Sequence, residues 1–324
     1  MFKIGNIEIK SRIFLAPMAG YTNLPFRLIA KKHGAGAVFS EMISGKGLYY
    51  KDKKTAELML TCDQETPAGI QLFGSEPEIL SEVVEKYINP TAFAFLDFNA
   101  GCPAPKIVKN GEGSALMRNP KRLGEIVRAI KKASKKPVII KTRIGWDAQN
   151  VNVREVAEII EEAGADAHTI HGRTREAFYL GKADWKIIGE VKKNSKIPII
   201  LNGDVDSGEK AVEAFETIGC DAVMVGRASV GNPFIFREIN YRLSTGETLP
   251  MPTPEERIQT AIKHVELVDM MKRPEAAIKE MRKHLAAYTK GLKNATNLRN
   301  EIFKVCTKEE VLTLLNQYME ENYG

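Results

Sequence analysis

Cysteine is scarce in this chain and scattered: Cys62, Cys102, Cys220 and Cys306 are the only four in 324 residues. No two form a CxxC pair, and no histidine stands at zinc-ligand spacing from them. That excludes a disulfide framework and a structural metal, and it points to a reducing compartment. Long apolar runs are also missing: no window reaches the roughly 18 apolar residues that span a bilayer. The opening Met1-Phe2-Lys3-Ile4-Gly5 has none of the apolar stretch of a secretory leader. Neither a Walker nor a Rossmann glycine pattern occurs, so a nucleotide cradle of those types is not expected. His171 and Asp204 have no third or fourth partner at a recognisable spacing, so no metal is expected. The expectation is a soluble, cytoplasmic protein, monomeric by default and without a membrane segment.

What is present is a repeating pattern. The apolar content of 44% can bury a full core, and the length suits two domains or one large α/β barrel with an addition. Eight short apolar runs fill the first two thirds: Ile13–Ala16, Ala37–Ser40, Ala68–Phe73, Phe93–Phe98, Pro137–Thr142, Ala167–Ile170, Ile197–Leu201 and Ala222–Val225. Each is too short for a helix and rich in β-branched or aromatic residues. Between them lie segments of helical spacing, such as Val151–Ala163 and Gly208–Ile218, with Gly164 and Gly219 where helix C-caps belong. Strand–helix alternation gives a closed (β/α)8 barrel or an open doubly wound sheet, and a count of eight favours the barrel.

The residues after each strand carry more information than the count. Pro17-Met18-Ala19-Gly20, Glu41-Met42, Gly74-Ser75 after Gln71, Asn99 and Cys102, Lys141 and Arg143, His171-Gly172-Arg173, Asn202-Gly203-Asp204 and Gly226-Arg227 follow in order. All eight strands place chemically able residues at one end, the C-terminal face where active sites of a barrel are built. In Leu96-Asp97-Phe98-Asn99-Ala100-Gly101-Cys102-Pro103, Gly101 and Pro103 end the strand abruptly. Asn99 and Cys102 are therefore expected on the turn just past the strand edge. A free cysteine is more often a small buried hydrophobe, but this one stands in the ring of strand ends.

Three features suit a phosphorylated flat ring. The turns Asn202-Gly203-Asp204 and Gly226-Arg227 offer backbone N–H groups and a fixed positive charge where barrels bind phosphate. Lys141 interrupts the apolar run Val138-Ile139-Ile140, so it must point into the mouth and meet an anionic partner. Gln71 offers both a donor and an acceptor, the pair that reads an imide edge such as that of flavin. With Pro17-Met18-Ala19 as backbone and soft apolar surface for the ring, these residues describe an FMN site. His171 is a proton donor, a ring contact or a satisfied barrel histidine; His168, inside its strand, is read as structural.

Past about Asn240 the alternation stops. The reading is a barrel over 1–243, a linker over 244–253 rich in turn residues, and a helical bundle over 254–324. Helices are expected at Pro254–Met271, Pro274–Lys290, Ala295–Val305 and Lys308–Glu321, with Thr253 and Thr307 as N-caps. The net charge of +6 suits an acidic partner. In the tail, Lys279, Arg282, Lys283, Lys290, Lys293, Arg299 and Lys304 face only Glu280 and Glu301. Arg282, Tyr288, Asn297 and Arg299 are candidates to hold phosphates and stack on bases, against the plainer alternative of a solvated helical face. A second basic stretch, Lys106 to Arg122, carries the Gly-rich loop Lys109–Ser114, read as a mobile lid, a wall of the substrate path or an ordinary long βα loop.

The motifs Ala16-Pro17-Met18-Ala19-Gly20, Asp97-Phe98-Asn99-Ala100-Gly101-Cys102-Pro103, Lys141-Thr142-Arg143, His171-Gly172-Arg173-Thr174-Arg175 and Asn202-Gly203-Asp204 together resemble the signature series of the tRNA-dihydrouridine synthases, most nearly the bacterial B-type branch. The likeness covers the barrel and, more loosely, the helical tail; Phe98 stands where the family pattern has Ile. The resemblance implies an FMN enzyme that reduces the C5–C6 bond of particular uridines in tRNA, with NADPH as reductant. It implies hydride transfer from flavin N5 to C6 and a proton from Cys102 to C5, with Asn99 holding the uracil. Flavin contacts would fall to Pro17, Met18, Ala19, Gln71, Lys141, His171, Asn202, Gly203, Asp204, Gly226 and Arg227. Arg143 and Arg173 would serve RNA or the flavin phosphate. Two other readings stand beside this one: a flavin barrel acting on a small molecule, of the dihydroorotate or enoate type, and a non-catalytic tRNA-binding protein.

Overall fold

The computed structural model describes residues 2–271 and 273–324. Met1, the first residue of the leader reading above, lies outside them, as does Lys272. Eight parallel strands form one sheet: β3 (Ile13–Leu15), β4 (Val38–Ser44), β5 (Ala68–Phe73), β6 (Phe95–Ala100), β7 (Val138–Arg143), β8 (Ala167–His171), β9 (Ile199–Asn202) and β10 (Ala222–Val225). Each pairs with its sequence neighbour, and β10 returns to β3. A single parallel bridge between Phe14 and Ala37, with Leu15 N–H donating to Ala37 and Gly36 N–H to Ile13, joins β3 to β4 and closes the barrel. Gly36 is obligatory at that seam, because a Cβ there would stand 1.7 Å from the Ser11 carbonyl oxygen.

The strands are buried on both faces, which is why their sequence reads as continuous apolar runs rather than as alternation. Leu96, Phe98, Ile140, Leu201 and Val223 point outward and pack under the helices. Phe14, Phe39, Phe95, Ile139, Ile200 and Met224 point inward and fill the lumen. Gly69 makes room for the Phe39 ring, which a Cβ would approach to 2.5 Å.

An antiparallel hairpin, β1 (Phe2–Ile4) and β2 (Ile7–Ile9), is an element that sequence reading did not supply. Its Ile4 and Ile9 join the inner cluster and plug the barrel end opposite the strand C-termini. Three-residue strands are too short to show a period.

The last barrel helix runs Ile235–Thr245 and stops at Gly246 in a left-handed conformation. Helices Pro254–Glu266, Pro274–Tyr288, Ala295–Ile302 and Lys308–Tyr323 follow and share their own apolar cluster. Thr253 and Thr307 each close a full capping box, with Glu256 and Glu310 reaching back to the cap backbone.

Candidate active site

Inward residues at the C-terminal ends of the strands change from apolar to polar. Gln71 of β5 stands in register with Asp97 of β6, Asn99 with Lys141 of β7, and His171 of β8 with Asn202 of β9. Above them opens a cleft of about 980 Å³, at the upper end of the range for ligand sites. Every residue of the sequence-derived set except Arg173 lines it.

A directed chain of hydrogen bonds runs under the cysteine. Gln71 Nε2 donates to Asp97 Oδ2 (2.5 Å), and Asn99 Nδ2 donates to Gln71 Oε1 (2.8 Å). Asn99 Oδ1 accepts from the backbone N–H groups of Gly101 (3.1 Å) and Cys102 (2.8 Å). Backbone N–H groups only donate, so Asn99 must turn its oxygen to them and its amine to Gln71. Gln71 must then turn its own amine to Asp97. One expectation is corrected: Asn99 lies inside β6 rather than on the turn beyond it. Gln71 keeps one uncommitted N–H, as does Asn99, and its oxygen, already accepting from Asn99, retains a second lone pair.

Lys141 adds to this donor wall. Its ammonium donates to Asn202 Oδ1 (2.8 Å), and Asn202 Nδ2 donates to the Met224 carbonyl (2.7 Å). The expected anionic contact is absent as a hydrogen bond. Asp97 nonetheless acts on Lys141 through space: burial pulls the ammonium down to about 8, and Asp97 is the main force resisting it. The same burial pushes Asp97 up to about 7, and its Oδ1 has no hydrogen-bond partner. His171 is held well below its ordinary value by burial and by Lys141, Arg143, Arg173 and Arg227, so it is a neutral imidazole. Burial raises the Cys102 thiol, against weaker opposition from the Ala104 N–H, Arg143 and Lys141. At neutral pH it carries its proton.

The turns after β9 and β10 form the other end of the cleft. Gly203 (φ 109°) and Asp204 (φ 59°) lie in the left-handed region. The N–H groups of Gly203, Asp204, Gly226 and Arg227 donate to nothing among the described residues. Successive free N–H groups in such a turn make an anion cradle. Arg227, largely exposed, stands beside it. The Asp204 carboxylate is already committed to Arg173 Nη2 (2.8 Å) and to the Ala183 N–H (2.7 Å). Burial works to raise it, but these bonds and Arg227 hold it below its ordinary value.

Arg143 and Arg173, expected to serve RNA or the flavin phosphate, differ in place: Arg143 lines the cleft and Arg173 does not, and both also brace the protein's own loops. Arg143 donates to the carbonyls of Gly101, Thr174 and Phe178. Arg173 donates to Leu180, Gly181 and Asp204. Both guanidiniums pin the loop after β8, in which Phe178 is strained to φ 47°. At the loop tip stands Tyr179, 52% exposed, with Arg227 4.9 Å from its ring centre. Sequence reading missed Tyr179 and Asp97; the signal for Asp97 was the one that flagged Lys141, a charge inside a buried strand.

Two further expectations need correction. The Lys109–Ser114 loop is not a free lid, since Ser114 donates to the Cys102 carbonyl from both its N–H (3.0 Å) and its hydroxyl (2.9 Å). Tyr288 cannot stack on a base, being fully buried with its hydroxyl toward His264. Arg282, likewise proposed for phosphate, donates to the Val305 carbonyl. No cluster of metal-ligating side chains exists among the described residues.

The closed (β/α)8 barrel carries its donor-walled cleft, protonated thiol and N–H cradle at the C-terminal face of the strands, the end at which barrels of this kind build their sites. The fold recurs at low identity in histamine dehydrogenase from Rhizobium sp. 4-9 (TM-score 0.57, 14% identity, 82% of this chain and 50% of that one). It recurs also in the old yellow enzyme homologue from Zymomonas mobilis (TM-score 0.55, 15% identity, 79% and 94%). The model of the dihydrouridine synthase family matches residues 14–323, and the chain belongs to that family. A probable tRNA-dihydrouridine synthase of Rickettsia bellii (strain RML369-C) is 40% identical over 303 residues, 93% of each chain. The tRNA-dihydrouridine synthase B of Pseudomonas aeruginosa PAO1 is 35% identical over 320 residues, 98% of this chain and 96% of that one.

Proposed function

We propose that this protein is an FMN-dependent tRNA-dihydrouridine synthase that reduces the C5–C6 double bond of specific uridines in tRNA, drawing its electrons from NADPH. The observation that carries the reading is the protonated Cys102 thiol, fixed by the Asp97–Gln71–Asn99 chain at the edge of a cleft walled by donors. The cleft residues fit the flavin. Lys141 and the free N–H of Gln71 would hold the electron-rich edge of the ring, and Pro17, Met18 and Ala19 would support its face. The N–H groups of Gly203, Asp204, Gly226 and Arg227, with the Arg227 charge, would hold the phosphate. When bound, the flavin supplies the hydride for C6.

The chain's own residues supply the rest. Cys102 gives its proton to C5, where the electron pair of the broken double bond arrives, and is left as a thiolate that solvent reprotonates. The free N–H of Asn99 donates to a uracil carbonyl, and Tyr179 walls the base at the cleft mouth. His171, a neutral imidazole with a weakened hold on protons, would contact the ring rather than donate the proton. A uridine reaches this depth only by leaving its stack. The helices of 254–324 and the basic surface beside the cleft grip the tRNA body by shape and phosphate. The reading places the enzyme in the cytoplasm as a monomer.

The test uses the purified protein. Its visible spectrum is recorded, and it is then incubated with NADPH and unmodified tRNA, with dihydrouridine read by mass spectrometry. Bound flavin with position-specific dihydrouridine is expected. Flavin without dihydrouridine would transfer the reading to a small-molecule oxidoreductase; tRNA binding without flavin would remove the enzymatic reading.

A further inference from the structure

A second hollow, of about 550 Å³, opens on the same face of the barrel, bordered by Arg118, Trp146, Asp147, Gln149 and Asn150. None of its bordering residues lines the catalytic cleft. A ladder of alternating rings and guanidiniums joins it to the rim of the catalytic cleft. The Arg175 guanidinium carbon lies 5.4 Å from the Phe178 ring centre and 4.8 Å from that of Trp146, and the Arg118 guanidinium lies 4.8 Å from Trp146. Phe178 lines the catalytic cleft itself.

The backbone holds this ladder in place. Arg175 N–H donates to the Gly145 carbonyl and Glu176 N–H to that of Trp146, both at 2.9 Å. Gly145 admits the turn, since a Cβ there would sit 2.2 Å from the Asn150 oxygen. Among the described residues, no carboxylate comes within 4.0 Å of either guanidinium. The Arg175 Nε–H is buried without a partner. Asp147, the acid in the hollow, is turned into its own loop, accepting from the N–H groups of Gln149 and Asn150. Two stacked, uncompensated guanidiniums beside a polar hollow ask for an anion flanked by a flat ring.

We propose that Arg118, Trp146 and Arg175 form a subsite for the nucleotide next to the target uridine, taking its phosphodiester on the guanidiniums and its base or ribose in the hollow. The inference rests on the tRNA reading above. RNA is favoured over the phosphates of a free dinucleotide because the ladder is continuous with the cleft rim. A base turned into the cleft must carry its neighbours across that rim, and alternating cation and ring matches the alternating phosphate and base of a strand.

The test measures binding of an unmodified tRNA transcript over a salt series, alongside the KM for NADPH and flavin content. Arg118→Gln and Arg175→Gln should each weaken tRNA binding about tenfold and lower the salt slope by about 1. Arg118→Lys should keep the slope while losing part of the affinity, because the charge remains and the planar stack does not. Trp146→Leu should weaken binding severalfold at unchanged slope; thermal melting of each variant verifies folding. Unchanged tRNA affinity in both Gln variants overturns the subsite. So does a raised KM for NADPH with tRNA binding intact, which would give the hollow to the reductant. Failure of the unaltered protein to bind tRNA is a separate outcome that removes the functional reading first.

Discussion

Mild acid should destabilise this protein, and the histidines set the scale. All five are held below the ordinary imidazole range, and four are essentially buried: His168, His171, His264 and His284. His168 sits in the barrel wall against the Thr142 hydroxyl (2.7 Å), and burial takes it to about 3. His264 and His284 meet between the bundle and the barrel, their rings 4.8 Å apart and both packed on Phe26. Both nitrogens of His284 and Nε2 of His264 have no partner, and burial with the nearby Lys283 takes His284 to about 3.

Because these folded-state values are depressed, the folded state refuses protons that the unfolded chain accepts. Stability is therefore full above about pH 6.5 and falls as pH drops, toward folded values of about 3 for His168 and His284 and well below the ordinary range for His171 and His264. Each imidazole contributes at most about 1.4 kcal/mol per pH unit, so four amount to about 6 kcal/mol at pH 5.5. Asp97, Glu41 and Glu112 are raised by burial and work the other way, stabilising the fold as they protonate. They offset roughly a third, leaving a loss of about 4 kcal/mol out of a typical 5–15. Denaturant midpoints between about pH 7.5 and pH 5.5 should fall accordingly at constant m-value, and His264→Phe should flatten the slope by close to one proton. Equal or greater stability at the lower pH would refute the reasoning, because it would mean that these imidazoles are not neutral and buried.

Cys102→Ala should keep the fold and the flavin while slowing dihydrouridine formation by about 10²–10⁴; a loss under tenfold in single-turnover mass spectrometry would end the proton-donor assignment. Lys141→Gln removes the charged donor from the cleft, and a charge-assisted bond of about 1.5–3 kcal/mol predicts flavin binding weaker by roughly 10–100-fold, read by spectral titration. Retained affinity would place the ring elsewhere. Gly36→Ala forces a Cβ onto the Ser11 carbonyl at the barrel seam and should cost about 3 kcal/mol or more, seen as a lowered Tm; an unshifted Tm would mean that the seam can open without loss.

The sequence by itself determined the elements and the ring of strand ends. Eight short apolar runs, caps such as Thr253 and Thr307, and motifs such as Asn202-Gly203-Asp204 act over a few residues, and their geometry is local. Even there, three-residue strands such as β1 and β2 escaped, because they carry no measurable period. Tertiary structure alone decided which way each polar group faces. Gln71 and Asp97 are 26 residues apart, and Arg173 and Asp204 are 31 apart. The first pair turns one Gln71 N–H away from the cleft, and the second ties Arg173 to the turn after β9. Tyr288 likewise looked available for stacking until the bundle closed over it. A hydrogen bond assigns donor and acceptor only when both partners are in place, and burial assigns a pKa only when the surrounding layer is packed. The polar orientation of the cleft therefore belongs to the folded barrel, while many of the residues that line it, though not Tyr179, could be read along the chain.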